Sequence, residues 1–302
     1  MRIWVPSHEV VDVLSDLPGV ECVVYDGRGP VPDGADEVEV WVPPLVTVPD
    51  VPGLLARMSS LRLLQTVTAG VEPYRPHMPE GAVLCNARGV HDAGTAEWAV
   101  GAMLAVLREF PGFVDAQRRG EWHYHHTGAL ADSTVLIVGY GSIGAALERR
   151  LDGFEVDVVR VARSARDDVH AMEELPELLP AADVVVLLVP ATEATSGMVD
   201  AAFLAGMKDG AVLVNAARGG VVDTDALLAE LKAGRLRAAL DVTAPEPLPA
   251  DHPLWSAPGV LITPHVAGST PASVRRTLRL VRAQLLRYLA AEPLENVISD
   301  AY

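Results

Sequence analysis

The chain has 302 residues, half of them hydrophobic, with 24 basic against 40 acidic side chains and a formal net charge of −16. This length suits two domains of ~150 residues, and the hydrophobic content excludes wholesale disorder. The acidic balance argues against nucleic acid or an anionic membrane surface as the main partner, although a single positioned arginine can dominate a pocket's local field and bind a small anion.

The N-terminal segment lacks the basic-then-apolar pattern of a signal peptide, and no apolar run reaches the ~18 residues of a membrane span. Arg2 to Pro6 reads as a strand, Glu9 to Leu17 as a helix and Glu21 to Tyr25 as a second strand. Further strands are expected over Val38 to Val42, Leu61 to Val67 and Val83 to Asn86, with a helix over Gly53 to Ser59. Fully apolar strands alternating with helices indicate a parallel sheet covered on both faces. A proline-rich surface connection occupies residues 30–52. Cys22 and Cys85, the only cysteines, read as buried, reduced thiols of a cytoplasmic protein.

From Thr95, a candidate cap, to Phe110 the chain is apolar nearly all round. Such a helix is buried between domains or against the second subunit of a homodimer. A polar stretch from Gln117 to Ser133 follows and contains the run WHYHH at 122–126. That run has no carboxylate at ligand spacing, so a surface loop is preferred over a metal site.

Thr134 to Val138 is a strand, followed at once by Gly139-Tyr140-Gly141-Ser142-Ile143-Gly144 and a helix. Gly139 permits a tight turn, Gly141 lets a pyrophosphate approach the backbone, and Gly144 allows close packing of helix on strand. The amides of Ser142 and Ile143 at the helix N-terminus would serve the phosphates. Strand before and helix after supply the context that a bare glycine pattern lacks. The next strand, Val156 to Val161, should end in an acid if the adenosine ribose carries a free 2′-hydroxyl. The expected position, 18 residues beyond Gly144, is Ala162. Arg163 or Arg166 with Ser164 could bind a 2′-phosphate there, so NADP(H) is expected in preference to NAD(H). The other reading makes these arginines ordinary surface residues and the cofactor NAD(H).

Three later strands end in polar groups. Ala211 to Asn215 precedes Arg218, Ala238 to Val242 precedes Glu246 and contains Asp241, and Val260 to Thr263 precedes His265. Ligands of an open α/β sheet bind beyond the carboxyl ends of its strands. A cation, a carboxylate and an imidazole form a complete set for reducing a keto acid. The last helix is expected over Pro271 to Ala291.

The segments VGYGSIG at 138–144, NAARGGVVD at 215–223, DVTAPEPLP at 241–249 and PLWSAPGVLITPHVAGST at 253–270 resemble the D-isomer-specific 2-hydroxyacid dehydrogenase family. The resemblance implies an α/β fold of two doubly wound parallel-sheet domains, a flavodoxin-like substrate domain (1–94 plus 282–302) and a Rossmann cofactor domain (95–281), with a cleft between them. It also implies that Arg218 binds substrate, that Glu246 is the carboxylate and that His265 is the acid/base. Thr68, Ala69, Gly70 and Val71 match the loop whose amides hold the substrate carboxylate, and Asp241 matches the group that orients the nicotinamide carboxamide. Thr95, Pro190, Thr195, Ala216 and Gly268 are further cofactor-side candidates. His8, Tyr74 and Arg75 could reach substrate, but plain surface is the expectation for each.

The implied activity is NAD(P)H-dependent reduction of a small 2-keto acid such as glyoxylate or hydroxypyruvate. Formate dehydrogenases of the family pair the histidine with glutamine, which Glu246 disfavours. Phosphite oxidation would call for a lysine near the substrate loop, and TVTAGVEPY has none. A dinucleotide-sensing corepressor without significant turnover is the alternative from another class.

Overall fold

A computed structural model describes residues 1–45 and 48–298. Residues 46 and 47 of the expected proline-rich connection lie outside the described residues, as do 299–302 of the C-terminal tail. The chain divides into two compact units, Met1–His91 with Pro271–Tyr302, and Asp92–Thr270. The return to the first unit comes at Pro271, where the last helix begins, and not at residue 282 within it.

The first unit contains β1 (Arg2–Val5), α1 (His8–Leu14), β2 (Glu21–Val24), β3 (Val38–Trp41), α2 (Val51–Arg57), β4 (Leu63–Gln65) and β5 (Val83–Cys85). Its parallel sheet runs β2-β1-β3-β4-β5, the flavodoxin-like order. Trp4, Trp41 and Leu64 pack on one face, and Ile3, Val5 and Leu63 on the other, against Val281 and Leu285 of the last helix. Burial on both faces is why these strands carry continuous apolar runs. Helix α2 starts two residues before Gly53, because the Asp50 side chain accepts a bond from the Gly53 amide at 3.0 Å.

Tyr74 is not the surface residue expected. It is buried, stands edge-on to Trp41 at 5.6 Å between ring centroids, and its hydroxyl is pushed up to about 12 by burial. Cys85 is buried, its thiol pushed up to about 11, whereas Cys22 is only half-buried. The last helix (Pro271–Leu289) is tied down by Arg282, which forks onto both carboxylate oxygens of Asp16 at 2.6 and 2.8 Å. Its fully buried Gln284 donates to Gln65 at 2.9 Å. Beyond it, Ile298 donates to the Leu84 carbonyl at 2.8 Å and Asn86 to the Asn296 carbonyl at 3.1 Å, covering the edge of β5.

The second unit contains α3 (Asp92–Leu107), α4 (Phe110–Arg119), β6 (Thr134–Val138), α5 (Ser142–Leu151), β7 (Asp157–Ala162), β8 (His170–Ala171), α6 (Leu175–Leu178) and β9 (Val184–Leu187). It continues with α7 (Ala201–Gly206), β10 (Val212–Asn215), α8 (Thr224–Lys232), β11 (Arg237–Leu240) and β12 (Val260–Ile262). The last helix is α9. All seven strands are parallel, in the order β12-β11-β10-β9-β6-β7-β8. This is the dinucleotide-binding order with one strand added at an edge.

The apolar helix begins at Asp92, so Thr95 lies inside it and caps nothing. It also stops earlier than expected: Glu109 adopts φ +54°, which breaks the chain into α3 and α4. Helix α3 is buried within its own unit, its Ala99, Met103 and Val106 packing with Ile137, Val186 and Val214 of the sheet.

Candidate active site

The register aligns the carboxyl ends of the central strands along one edge of the second sheet. Val138 pairs with Leu187, Leu187 with Asn215, Asn215 with Leu240, and Leu240 with Ile262. The strand order reverses between β6 and β9, where doubly wound sheets bind dinucleotides. At that point Gly139 has φ +100°, and a β-carbon there would stand 2.6 Å from the backbone of Leu188 and Val189. Only glycine fits a left-handed turn pressed against the neighbouring crossover. A β-carbon on Gly141 would meet nothing within 4 Å, so that side of the loop is open to a ligand. One on Gly144 would crowd Tyr140 Cδ2 at 3.2 Å and Ile137 Cγ2 at 3.3 Å, which is the close helix–strand packing expected of the third glycine. No side chain caps α5, which leaves the amide end over Ser142 and Ile143 for an anion. The residues present thus fit a dinucleotide pyrophosphate.

Strand β7 ends in Ala162, and Arg163, Ser164 and Arg166 follow on an exposed loop. Arg166 donates from Nη2 to the Tyr140 carbonyl at 2.6 Å, which brings it to the glycine loop. Asp167 and Asp168 are exposed beside it. Pro190 follows β9 and is exposed. The Thr195 hydroxyl donates to the Pro190 carbonyl at 2.6 Å and accepts from the Thr192 amide at 2.9 Å, so it closes that turn. Ala216 follows β10 and donates to the Leu187 carbonyl at 3.3 Å.

Arg218, Glu246 and His265 come from the ends of three adjacent strands. His265 lies two strand spacings, about 10 Å, to one side of β10, with the glycine loop about as far to the other. Arg218 is half-buried, with its carbonyl held by Asn215 Nδ2 at 3.0 Å and its own Nη1 donating to the Ala217 carbonyl at 2.7 Å. A β-carbon on Gly219 would fall on the Thr243 carbonyl, so the Arg218 loop and the 241–246 loop touch backbone to backbone. Glu246 Oε1 lies 2.6 Å from His265 Nδ1. These two side chains are within hydrogen-bond distance of each other.

His265 adopts φ +54°, an uncommon conformation for a residue with a β-carbon. Asp241 holds it there. Its carbonyl accepts from the His265 amide at 2.7 Å, Oδ1 accepts from the Thr263 hydroxyl at 2.6 Å and the Val266 amide at 2.9 Å, and Oδ2 accepts from the Ala267 amide at 2.9 Å. Buried Asp241 is therefore the anchor of the histidine turn, a role the motif spacing does not announce. Gly268 follows that turn, and Gly94 in α3 packs against it, so a β-carbon there would meet the Ala267 carbonyl at 3.1 Å. Thr95 is buried next to Gly94.

In the first unit, the carbonyls of the loop after β4 are each met by a donor. Those of Val67, Thr68, Ala69, Gly70 and Val71 accept in turn from His91 Nε2, the Ala87 amide, Asn86 Nδ2, the Thr68 hydroxyl and the Tyr74 amide. Of the remaining candidates, His8 and Arg75 are exposed. In the WHYHH segment, His125 pairs with Glu109 at 3.0 Å, and no cluster of three or more metal-ligating side chains occurs among the described residues. Nor is any described helix long and apolar enough to cross a membrane.

Asn215, Gly219, Thr263 and Tyr140 also shape the site, although no motif role singles them out. Asn215 and Gly219 flank Arg218 within the matched segment NAARGG, and that adjacency was the available signal.

Residues 100–267 match the family model described as D-isomer specific 2-hydroxyacid dehydrogenase, NAD binding domain. A glyoxylate reductase of Thermofilum pendens is 34% identical over 250 residues, covering 77% of this chain and 73% of its own length. A solved D-isomer specific 2-hydroxyacid dehydrogenase from Xanthobacter autotrophicus Py2, in complex with NADPH and MES, is similar with a TM-score of 0.86 at 30% identity, over 100% of this chain and 99% of that one. An NADPH-dependent glyoxylate/hydroxypyruvate reductase from Sinorhizobium meliloti, in complex with NADP and sulfate, gives a TM-score of 0.85 at 28% identity, over 99% and 98% of the two chains.

Proposed function

The chain belongs to the D-isomer-specific 2-hydroxyacid dehydrogenase family, and as an NAD(P)-dependent enzyme of that family we propose that it reduces a small 2-keto acid of the glyoxylate or hydroxypyruvate kind to the D-2-hydroxy acid, with NADPH in preference to NADH. The observation that carries the reading is the His265–Glu246 pair, set beside Arg218 at the carboxyl ends of adjacent strands.

A bound reduced nicotinamide would supply the hydride. The protein's own residues handle the charge that then develops on the keto oxygen. Arg218 binds that oxygen and stabilises the negative charge. His265 Nδ1 is committed to Glu246, so Nε2 delivers the proton as the oxyanion forms. Glu246 fixes the ring through its contact with Nδ1 and so leaves Nε2 to face the substrate. The backbone of Thr68, Ala69, Gly70 and Val71 is assigned to the substrate carboxylate. Gly139, Gly141, Ser142, Ile143 and Gly144 are assigned to the pyrophosphate, and Arg163, Ser164 and Arg166 to a 2′-phosphate. Pro190, Ala216 and Gly268 line the nicotinamide side, whereas Thr95 and Thr195 support it through packing and the turn.

We further assign the active form to a cytoplasmic homodimer. Trp122 and Tyr124 are largely exposed, and Phe110 and Val114 of the adjoining helix are about half exposed. Apolar exposure on this scale suits a partner surface.

The deciding experiment is a panel of 2-keto acids assayed by loss of reduced-nicotinamide absorbance. Turnover of glyoxylate or hydroxypyruvate, faster with NADPH than NADH, is expected. Cofactor binding without turnover of any 2-keto acid would overturn the assignment and favour a sensor. Light scattering tests the dimer directly, and a single-chain mass would exclude it.

A further inference from the structure

Tyr140 occupies the variable position between the first two glycines of the fingerprint, yet its side chain is the centre of a built cluster. The ring fits over Gly144, where a β-carbon would approach its Cδ2 to 3.2 Å. Its hydroxyl donates to Glu148, one helical face further along α5. Arg160 of β7 clamps the same carboxylate, with Nε at 2.9 and 3.0 Å from its two oxygens. The Arg160 guanidinium carbon lies over the tyrosine ring, 5.8 Å from its centroid. Arg166 completes the cluster, its guanidinium carbon 5.9 Å from the same centroid and its Nη2 on the Tyr140 carbonyl at 2.6 Å.

The two arginines differ in what they have left to offer. The charge of Arg160 is met by Glu148, whose carboxyl Arg160 holds below the usual carboxylate range. Arg166 faces the ring and a neutral carbonyl, so its positive charge is not cancelled there. A guanidinium has five N–H donors, and a single carbonyl engages few of them. Its backbone is fixed as well, because Arg166 and Val169 exchange bonds of 3.0 and 2.9 Å across a tight turn. This exposed cation therefore stands at a defined place, beyond the end of β7, where a dinucleotide fold reads the adenosine ribose.

We infer that Tyr140 is a positioning residue for the cofactor's 2′-phosphate: its ring face and main-chain carbonyl hold Arg166 at the glycine loop, while Gly144 and Glu148 hold the ring. The inference rests on the NADP reading of the β7 loop. Tyr140 itself touches neither phosphate nor ribose in this role. Selectivity for the phosphorylated cofactor is then set partly by a residue of the glycine loop and not only by the loop after β7.

The test is a calorimetric titration of the full chain with two fragments, 2′,5′-ADP and 5′-AMP, which differ by the phosphate in question. The wild type should prefer 2′,5′-ADP by at least about tenfold, and Arg166→Ala should abolish that preference. Tyr140→Ala, or Tyr140→Leu with less lost volume, should reduce the preference about fivefold, the change that a guanidinium–aromatic contact of ~1 kcal/mol produces. Tyr140→Phe keeps the ring and the carbonyl and should stay within about twofold of wild type. Affinity for 5′-AMP should be unchanged in every variant.

If Arg166→Ala loses the preference and both tyrosine truncations keep it, Tyr140 positions nothing. Equal weakening of both fragments by the truncations would likewise overturn the inference, since it marks a general loss of loop structure. If the wild type does not distinguish the fragments, the NADP reading itself has failed and this inference falls with it.

Discussion

Gly219 and Thr243 are in backbone contact, with no space between them for a single methyl group. The contact sets how closely the arginine-bearing loop approaches the loop that carries Glu246. Gly219→Ala is expected to push the two loops apart and lower kcat/KM at least about tenfold, as misplacement of reacting groups by an ångström does. Gly220→Ala is the control, because a β-carbon there meets nothing within 4 Å. Steady-state kinetics on the two variants checks this, and equal activities would show that the contact is not limiting.

Replacing His265 removes the proposed proton donor without touching the glycine loop. His265→Ala should lower kcat by about 100- to 10,000-fold, the usual worth of a positioned acid. Glu246→Gln replaces the carboxylate that orients the ring with a neutral amide and so weakens the contact at Nδ1, and a fall of roughly tenfold is expected. NADPH affinity, followed by its fluorescence, should stay within about twofold in both variants, because neither side chain belongs to the phosphate site.

The two leading glycines should fail in different ways. Gly139→Ala forces a β-carbon into a left-handed turn and onto the Leu188–Val189 backbone, so a loss of about 2–4 kcal/mol and a lower Tm are expected. Gly141→Ala adds a methyl group to open space and should leave Tm nearly unchanged. Its cost should appear as weaker NADPH binding, about tenfold, because the methyl group occupies the approach of the pyrophosphate. Thermal melts with and without cofactor separate the two outcomes.

One ion pair supports the base of the second sheet and gives a pH signature. Asp183 accepts from the Thr134 amide at 2.9 Å and from Lys208 at 2.6 Å. Partial burial pushes its carboxyl upward, but Lys208 and the Thr134 amide outweigh that and leave it below its ordinary value. A carboxyl with a depressed folded-state pKa stabilises above the unfolded value of ~3.9 and loses that contribution as pH falls further. Asp183→Ala should therefore cost about 1–3 kcal/mol at pH 7, a difference from wild type that shrinks below about pH 4. Urea midpoints at the two pH values test the sign.

Strands were readable where an apolar run ends in a chemically distinctive group, as at Val138, Asn215 and Ile262. The central strand β9 was passed over although VVVLLV at 184–189 is as apolar as any other run. The α3–α4 break was hidden for a different reason: it depends on a left-handed backbone at Glu109, a residue type that does not advertise one. Tyr74 was misjudged because its burial depends on Trp41, a neighbour distant in sequence. Arg218, Glu246 and His265 stood out in the sequence as a candidate set after successive strands. The turn that aims the histidine did not, since it rests on four hydrogen bonds to Asp241, 24 residues earlier.

That turn has a kinetic consequence. The His265 backbone is locked to the end of β11, yet half of its imidazole surface remains open to solvent. A rigid mount with an exposed ring needs no chain of internal carriers to recover a spent proton. On the proposed role of His265 as proton donor, such a ring would be recharged directly from bulk water or buffer, and the reloading step would follow the medium outside the protein.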